Sequence, residues 1–206
     1  MEDDFMERRD FCLGVGAASL LSGLVTPAFA KLNAEGIHTQ DWFMESFMDL
    51  REDHGELAAQ KKHFAIFFEQ KGCPYCAAMH EKNLSQPEIS SFIQEKFGVL
   101  QVNIFGSKEV TDFDGKTMEE RELARRWGVL FTPTIVFIKP NLDGLDGLNG
   151  KQLQIARMPG YFKRFHFITF FEYIAGDHYE TIDFQRFLQA KADKMRKEGK
   201  KVDIWG

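Results

Sequence analysis

At 206 residues the chain suits one domain of moderate size, or one domain with a targeting segment in front of it. Hydrophobic residues at 44% and charged residues at 28% are ordinary for a water-soluble globular protein, and 21 phenylalanines forecast an aromatic core. The net charge of −5 comes largely from residues 1–30, and the nearly neutral remainder offers no basic surface for nucleic acid or an anionic membrane.

The first segment carries Arg8-Arg9-Asp10-Phe11-Cys12-Leu13, then an apolar, small-residue run over 14–25, then Ala28-Phe29-Ala30. Basic residues, a short apolar stretch and a small-x-small site are the three parts of an export signal. The paired arginines, followed by Phe and Leu, resemble a twin-arginine leader, which carries proteins out already folded and predicts a periplasmic location. Glu2, Asp3 and Asp4 are unusual ahead of such a leader, and translation from Met6 would omit them. The apolar run is shorter than the about 20 residues a membrane span needs, so no span is expected in the mature chain. Cleavage after Ala30 removes Cys12 and leaves Cys73 and Cys76 alone. The expected organisation is a cleavable leader over 1–30, a linker over 31–39, one α/β domain over 40–198 and a tail over 199–206.

Residues 40–60 space Trp42, Phe43, Phe47, Leu50 and Leu57 roughly as a helix does, with Asp41 as N-cap. Residues 63–69 are short, continuous and aromatic, the pattern of a buried strand. Gly72-Cys73-Pro74-Tyr75-Cys76 follows, with a helix expected from Pro74 to about Asn83; Pro74 fits a first helical turn, where a missing N–H costs nothing. A helix is expected over 88–97 and a strand over 99–105. A short strand follows over 109–113. Thr117 with Glu120 suggests a capping box for a helix through Trp127. Thr132-Pro133 precedes a strand over 135–138. A Gly-, Asn- and Asp-rich loop over 140–150 carries Leu142, Leu145 and Leu148. Residues 151–158 alternate like the second strand of a hairpin, and helices are expected over 161–175 and 181–198. The whole reads as an α/β fold, a central mixed sheet flanked by helices.

Two cysteines separated by two residues at a strand-to-helix junction can close a small disulfide ring and open it again. Cys73 would sit at the helix start, where unpaired N–H groups and the helix dipole favour a thiolate. Cys76, one turn in, should be more buried and hold its proton to higher pH. Tyr75 should be exposed beside the sulfurs, able to pack on a partner. A ring this small constrains the unfolded chain little, so redox work explains the pair better than stability does. Haem attachment needs His at position 77, which is Ala. A zinc site needs further ligands, and only His80 follows at a useful spacing; a lone histidine on such a helix is more often half-exposed. No dissociable cofactor or metal is required.

These features together resemble the thioredoxin-fold superfamily, and within it the periplasmic SoxW-type thioredoxins. The resemblance runs through residues 67–80 around CPYC, Val110-Thr111-Asp112-Phe113-Asp114-Gly115, Val129-Leu130-Phe131-Thr132-Pro133-Thr134 and Met158-Pro159-Gly160-Tyr161. It implies a thioredoxin-like fold with extra N- and C-terminal helices, and a thiol–disulfide oxidoreductase acting on disulfide-containing periplasmic proteins. It implies that Cys73 is the nucleophile and Cys76 the resolving thiol. It also implies a membrane electron donor of the DsbD or CcdA type, and a role in sulfur oxidation. By it, Pro133 is a cis-proline facing the cysteines, and Thr132 presents its backbone to a substrate strand. The family's buried acid, six residues before the nucleophile, is here Phe67. Glu69 is the nearest carboxylate, either a proton relay for Cys76 or only a strand-end residue. An oxidising or isomerising role, or a metal-carrier module on the same scaffold, are the alternative functions.

Overall fold

The computed structural model describes residues 31–202; the expected leader, 1–30, and residues 203–206 of the tail lie outside them. A four-stranded sheet forms the centre, in the order β4 (Phe97–Asn103), β3 (His63–Glu69), β7 (Thr134–Ile138) and β8 (Gln154–Pro159). β3 runs parallel to β4 and antiparallel to β7, and β8 is antiparallel to β7, so the sheet is mixed.

Alternate side chains of a strand leave on opposite faces, and here both faces are apolar. Ala65, Phe67, Phe97, Val99, Ile135 and Phe137 meet one helical layer. That layer contains α2 (Pro74–Ala78), a π-helical turn (Met79–Leu84), α3 (Pro87–Lys96) and α6 (Arg164–Ala175). Phe64, Ile66, Phe68, Val102, Val136 and Ile138 meet the other layer, with Leu50 and Leu57 of α1 (Leu50–Ala59) and Leu123 of α4 (Glu120–Arg126). The first core is rich in aromatic rings: Phe171 stands edge-on to Phe97 at 5.0 Å and to Phe137 at 5.2 Å. Burying each such ring contributes roughly 1.5–3 kcal/mol. The last helix, α7 (Phe184–Lys197), packs Phe184 and Phe187 on Phe170 and Tyr173 of α6.

Several expected boundaries move. Only 50–59 of the segment 40–60 is helical, and the N-cap is Asp49, whose carboxylate accepts from the N–H groups of Arg51 and Glu52. Phe43 is apolar because it packs edge-on against Phe67 at 5.4 Å, and Met44 N–H donates to Val99 C=O at 2.8 Å along the outer edge of β4. Residues 31–39, read as a linker, hold two short paired strands, β1 (Lys31–Leu32) and β2 (His38–Thr39). Thr117 caps no helix. It opens β6 (Thr117–Glu119), paired with β5 (Glu109–Thr111), and the capping box is Glu119 with Glu122. Residues 150–153 form one helical turn, α5 (Gly150–Leu153), before β8 begins. Leu142, Leu145 and Leu148 of the loop are half-buried against the second core.

At the far end of that core, buried Asp112 accepts from Trp127 Nε1 at 3.0 Å, Arg126 at 2.6 Å and the N–H of Gly150 at 2.9 Å. The Arg126 guanidinium also pairs with Asp114 and holds its carboxyl down at about 2. These bonds tie the β5–β6 turn to α4 and α5. Among the described residues, no helix is long and apolar enough to cross a membrane.

Candidate functional site

The chain leaves β3 at Glu69, turns through Gly72 at φ +71°, a conformation that suits a residue without Cβ, and enters α2 at Cys73. Cys73 is the N-cap of that helix, and its sulfur accepts the N–H of Cys76 at 3.1 Å. Pro74 fills the first helical position. Cys73 and Cys76 are joined as a disulfide, with Cα atoms 5.2 Å apart.

The Thr132–Pro133 peptide is cis, and the loop that carries it folds over Cys73. The Thr132 hydroxyl donates to Cys73 Sγ at 3.3 Å, and the Thr132 carbonyl oxygen lies 3.6 Å from the same sulfur. The loop is itself held: Gly160 N–H donates to Pro133 C=O at 2.8 Å, and the Thr134 hydroxyl donates to Phe131 C=O at 2.8 Å. Two donors thus converge on the Cys73 sulfur, one from the helix start and one from the loop, and both would stabilise a thiolate there.

Cys73 is only 5% exposed, because the Thr132 loop packs on it, and Cys76 is fully buried. The exposed surface at the site is apolar and lies around them: Tyr75 at 62%, Leu130 at 85% and Phe131 at 52%.

Glu69 is fully buried, and so is His80, against the expectation of a half-exposed histidine. His80 Nε2 lies 3.0 and 3.1 Å from the two carboxylate oxygens of Glu69, and its Nδ1 lies 3.2 Å from the Gln40 side-chain nitrogen. Gln101 Nε2 donates to Glu69 at 2.9 Å and to the backbone carbonyl of His38 at 2.6 Å. Glu69, the last residue of β3, is thus also the centre of a polar cluster. Its partners His80 and Gln101, and Gln40 that bonds His80 in turn, come from three separate segments, and nothing in their local sequence joins them. Among the described residues, no three His, Cys, Asp or Glu side chains stand together as ligands for a metal ion.

Among solved structures, a thioredoxin-fold protein from Helicobacter pylori is similar to this chain with a TM-score of 0.57 at 22% identity, covering 74% of this chain and 93% of that one. A thioredoxin from Thermus thermophilus gives 0.46 at 27% identity, over 60% of this chain and 82% of that one. The C-terminal domain of DsbD from Neisseria meningitidis, in its oxidised form, gives 0.38 at 19% identity, over 58% and 86%. No curated protein sequence matches the chain. Residues 50–175, well over half of its length, match the thioredoxin-like domain family, and the chain belongs to that family.

Proposed function

We propose that the protein is an exported thiol–disulfide oxidoreductase of the SoxW type, which reduces disulfides of periplasmic partner proteins. The observation that carries this is the convergence of the Cys76 N–H and the Thr132 hydroxyl on the Cys73 sulfur, beside the resolving sulfur of Cys76. In the reduced protein, the Cys73 thiolate attacks one sulfur of a partner disulfide, and the partner's other sulfur leaves as a thiolate. Cys76 then attacks Cys73 Sγ, the internal disulfide forms, and the second partner thiol is released. Two electrons have passed to the partner, and a membrane donor of the DsbD or CcdA type returns them. Tyr75, Leu130 and Phe131 are the exposed apolar side chains on which a partner segment would rest.

Arg8-Arg9 and Ala28-Phe29-Ala30 support export by the twin-arginine route with cleavage after Ala30, and the mass of the exported protein checks the cleavage point. Cys76→Ser leaves the first step and removes the second, so a stable mixed disulfide through Cys73 should accumulate with insulin. If none accumulates, the exchange mechanism is wrong. A redox titration of the wild-type pair against glutathione decides whether the protein reduces or oxidises its partners.

A further inference from the structure

The loop that brings Thr132 to the Cys73 sulfur begins where α4 ends. The last carbonyls of a helix find no partner within it, and other groups have to satisfy them. The chain leaves α4 through a left-handed turn at Gly128, with φ +68°. Gly128 N–H donates to Arg125 C=O at 3.0 Å, and Val129 N–H donates to Ala124 C=O at 2.8 Å. The carbonyls of Trp127 and Gly128 are met by β8. There Arg157, opposite Val136 in the sheet, donates from Nη2 to Trp127 C=O at 2.8 Å and from Nη1 to Gly128 C=O at 3.1 Å. Gln154, three positions earlier on β8, accepts from Arg157 Nε at 3.2 Å and Nη2 at 2.8 Å, which fixes the plane of the guanidinium.

Arg157 is half-buried, and its hydrogen bonds end on neutral oxygens of Trp127, Gly128 and Gln154. Carbonyl and amide dipoles are thus what offset the cost of drawing its charge out of water. An apolar side chain at this position would avoid that cost. What a guanidinium adds is direction, because its planar fork holds two successive carbonyls at once.

The far end of the same loop is also tied to this strand, since Gly160, just past β8, donates its N–H to Pro133 C=O at 2.8 Å. Between the two anchors, Val129 is buried, but Leu130 and Phe131 are exposed and give the loop little packing of its own. We infer that Arg157 is a positioning residue for the exchange reaction, holding the start of the loop so that the Thr132 hydroxyl stays on the Cys73 sulfur. This rests on the exchange reading above. Arg157 acts through the backbone of Trp127 and Gly128, and the hydroxyl that it positions is the group that meets the sulfur. When the fork lets go, the start of the loop is free to swing, and the hydroxyl is lost before β8 or α4 unfolds.

The test is a double-mutant cycle on the reduced full-length protein, read by alkylation of Cys73 with iodoacetamide across pH and located by peptide mass. Arg157→Lys keeps the charge and loses the fork. It should slow alkylation near neutral pH by up to about fivefold, the whole effect of one such hydrogen bond, and converge with the wild type at alkaline pH. Gln154→Ala frees the guanidinium to turn and should act the same way by less. In a Thr132→Val background, Arg157→Lys should slow the reaction no further, because the bond that it positions is already gone. A wild-type pH profile in both single variants overturns the inference. So does an Arg157→Lys effect that persists in full beside Thr132→Val. Should Arg157→Lys not fold, Gln154→Ala decides alone, since it changes a half-buried side chain of an outer strand, and an unmoved profile there overturns the inference. Alkylation needs no partner disulfide, so the exchange reading fails separately, by a wild-type protein that reduces no insulin.

Discussion

Thr132 brings a hydroxyl to 3.3 Å from the Cys73 sulfur, and that one hydrogen bond has a measurable consequence. A hydrogen bond of this kind contributes on the order of 1 kcal/mol, which is about a fivefold change in an equilibrium. Thr132→Val keeps the branched shape and removes the donor, so the reduced protein should hold less Cys73 thiolate at neutral pH. Alkylation of Cys73 by iodoacetamide should slow about fivefold near neutrality, and the two proteins should converge at alkaline pH, where both are fully ionised. An unchanged pH profile would mean that the Cys76 N–H alone sets the nucleophile. At this scale the cysteines and Thr132-Pro133 were readable from residue type and order. The Glu69 cluster was only half readable. Glu69 ends an otherwise apolar strand, which flags it, but its pairing with His80 needs β3 and the helix after Cys76 to lie face to face. His80 looked like a solitary histidine because its partners are 11 and 40 positions away.

The elements that pack tightest are those whose contacts leave no room for a methyl group. At the start of α5, a Cβ on Gly150 would stand 1.8 Å from Cζ2 of Trp127. The indole cannot yield, since it is fully buried and its Nε1 is held by Asp112, which also accepts the N–H of Gly150. Gly150→Ala should therefore destabilise the protein by about 1–3 kcal/mol, the usual cost of overpacking. Denaturant unfolding followed by tryptophan fluorescence measures it, and an unmoved midpoint would show that α5 slides freely on α4. The same elements show where sequence patterns mislead. The strand over 63–69 was legible because it is buried on both faces and therefore continuously apolar. The start of α1 was not, because Trp42 and Phe43 keep an apolar rhythm for a different purpose, covering the sheet rather than continuing a helix. Thr117 has the look of an N-cap, yet its hydroxyl meets that of Thr111 across the β5–β6 hairpin at 3.2 Å. Local propensity allowed both outcomes, and a strand partner decided between them.

Over the whole molecule, the attachments differ in kind from one edge of the sheet to its centre. β3 is hydrogen-bonded on both sides and buried along nearly its entire length. Residues 31–44 lie against the β4 edge through one backbone bond, Met44 N–H to Val99, and through side-chain bonds such as Asn33 to Gln101 and Asn103 to Glu35. The segment shields an edge strand whose free N–H and C=O groups would otherwise invite pairing with another chain. Its strands have two residues each, however, and apart from buried Ile37 and Phe43 it is held by polar side-chain bonds, more weakly than a packed core holds β3. It should therefore open as a unit well below the free energy of global unfolding. Native-state hydrogen exchange on the full chain should show the amides of Ile37 and Met44 exchanging through such local opening, with little dependence on denaturant. The amides of Phe64 to Phe68 should exchange only through global unfolding, with the full denaturant dependence. Equal protection of the two sets would mean that the segment belongs to the core. If they differ as stated, each opening also withdraws Gln40 from His80 and admits water to Glu69, so the outermost segment of the fold controls the solvent seen by the buried Glu69–His80 pair.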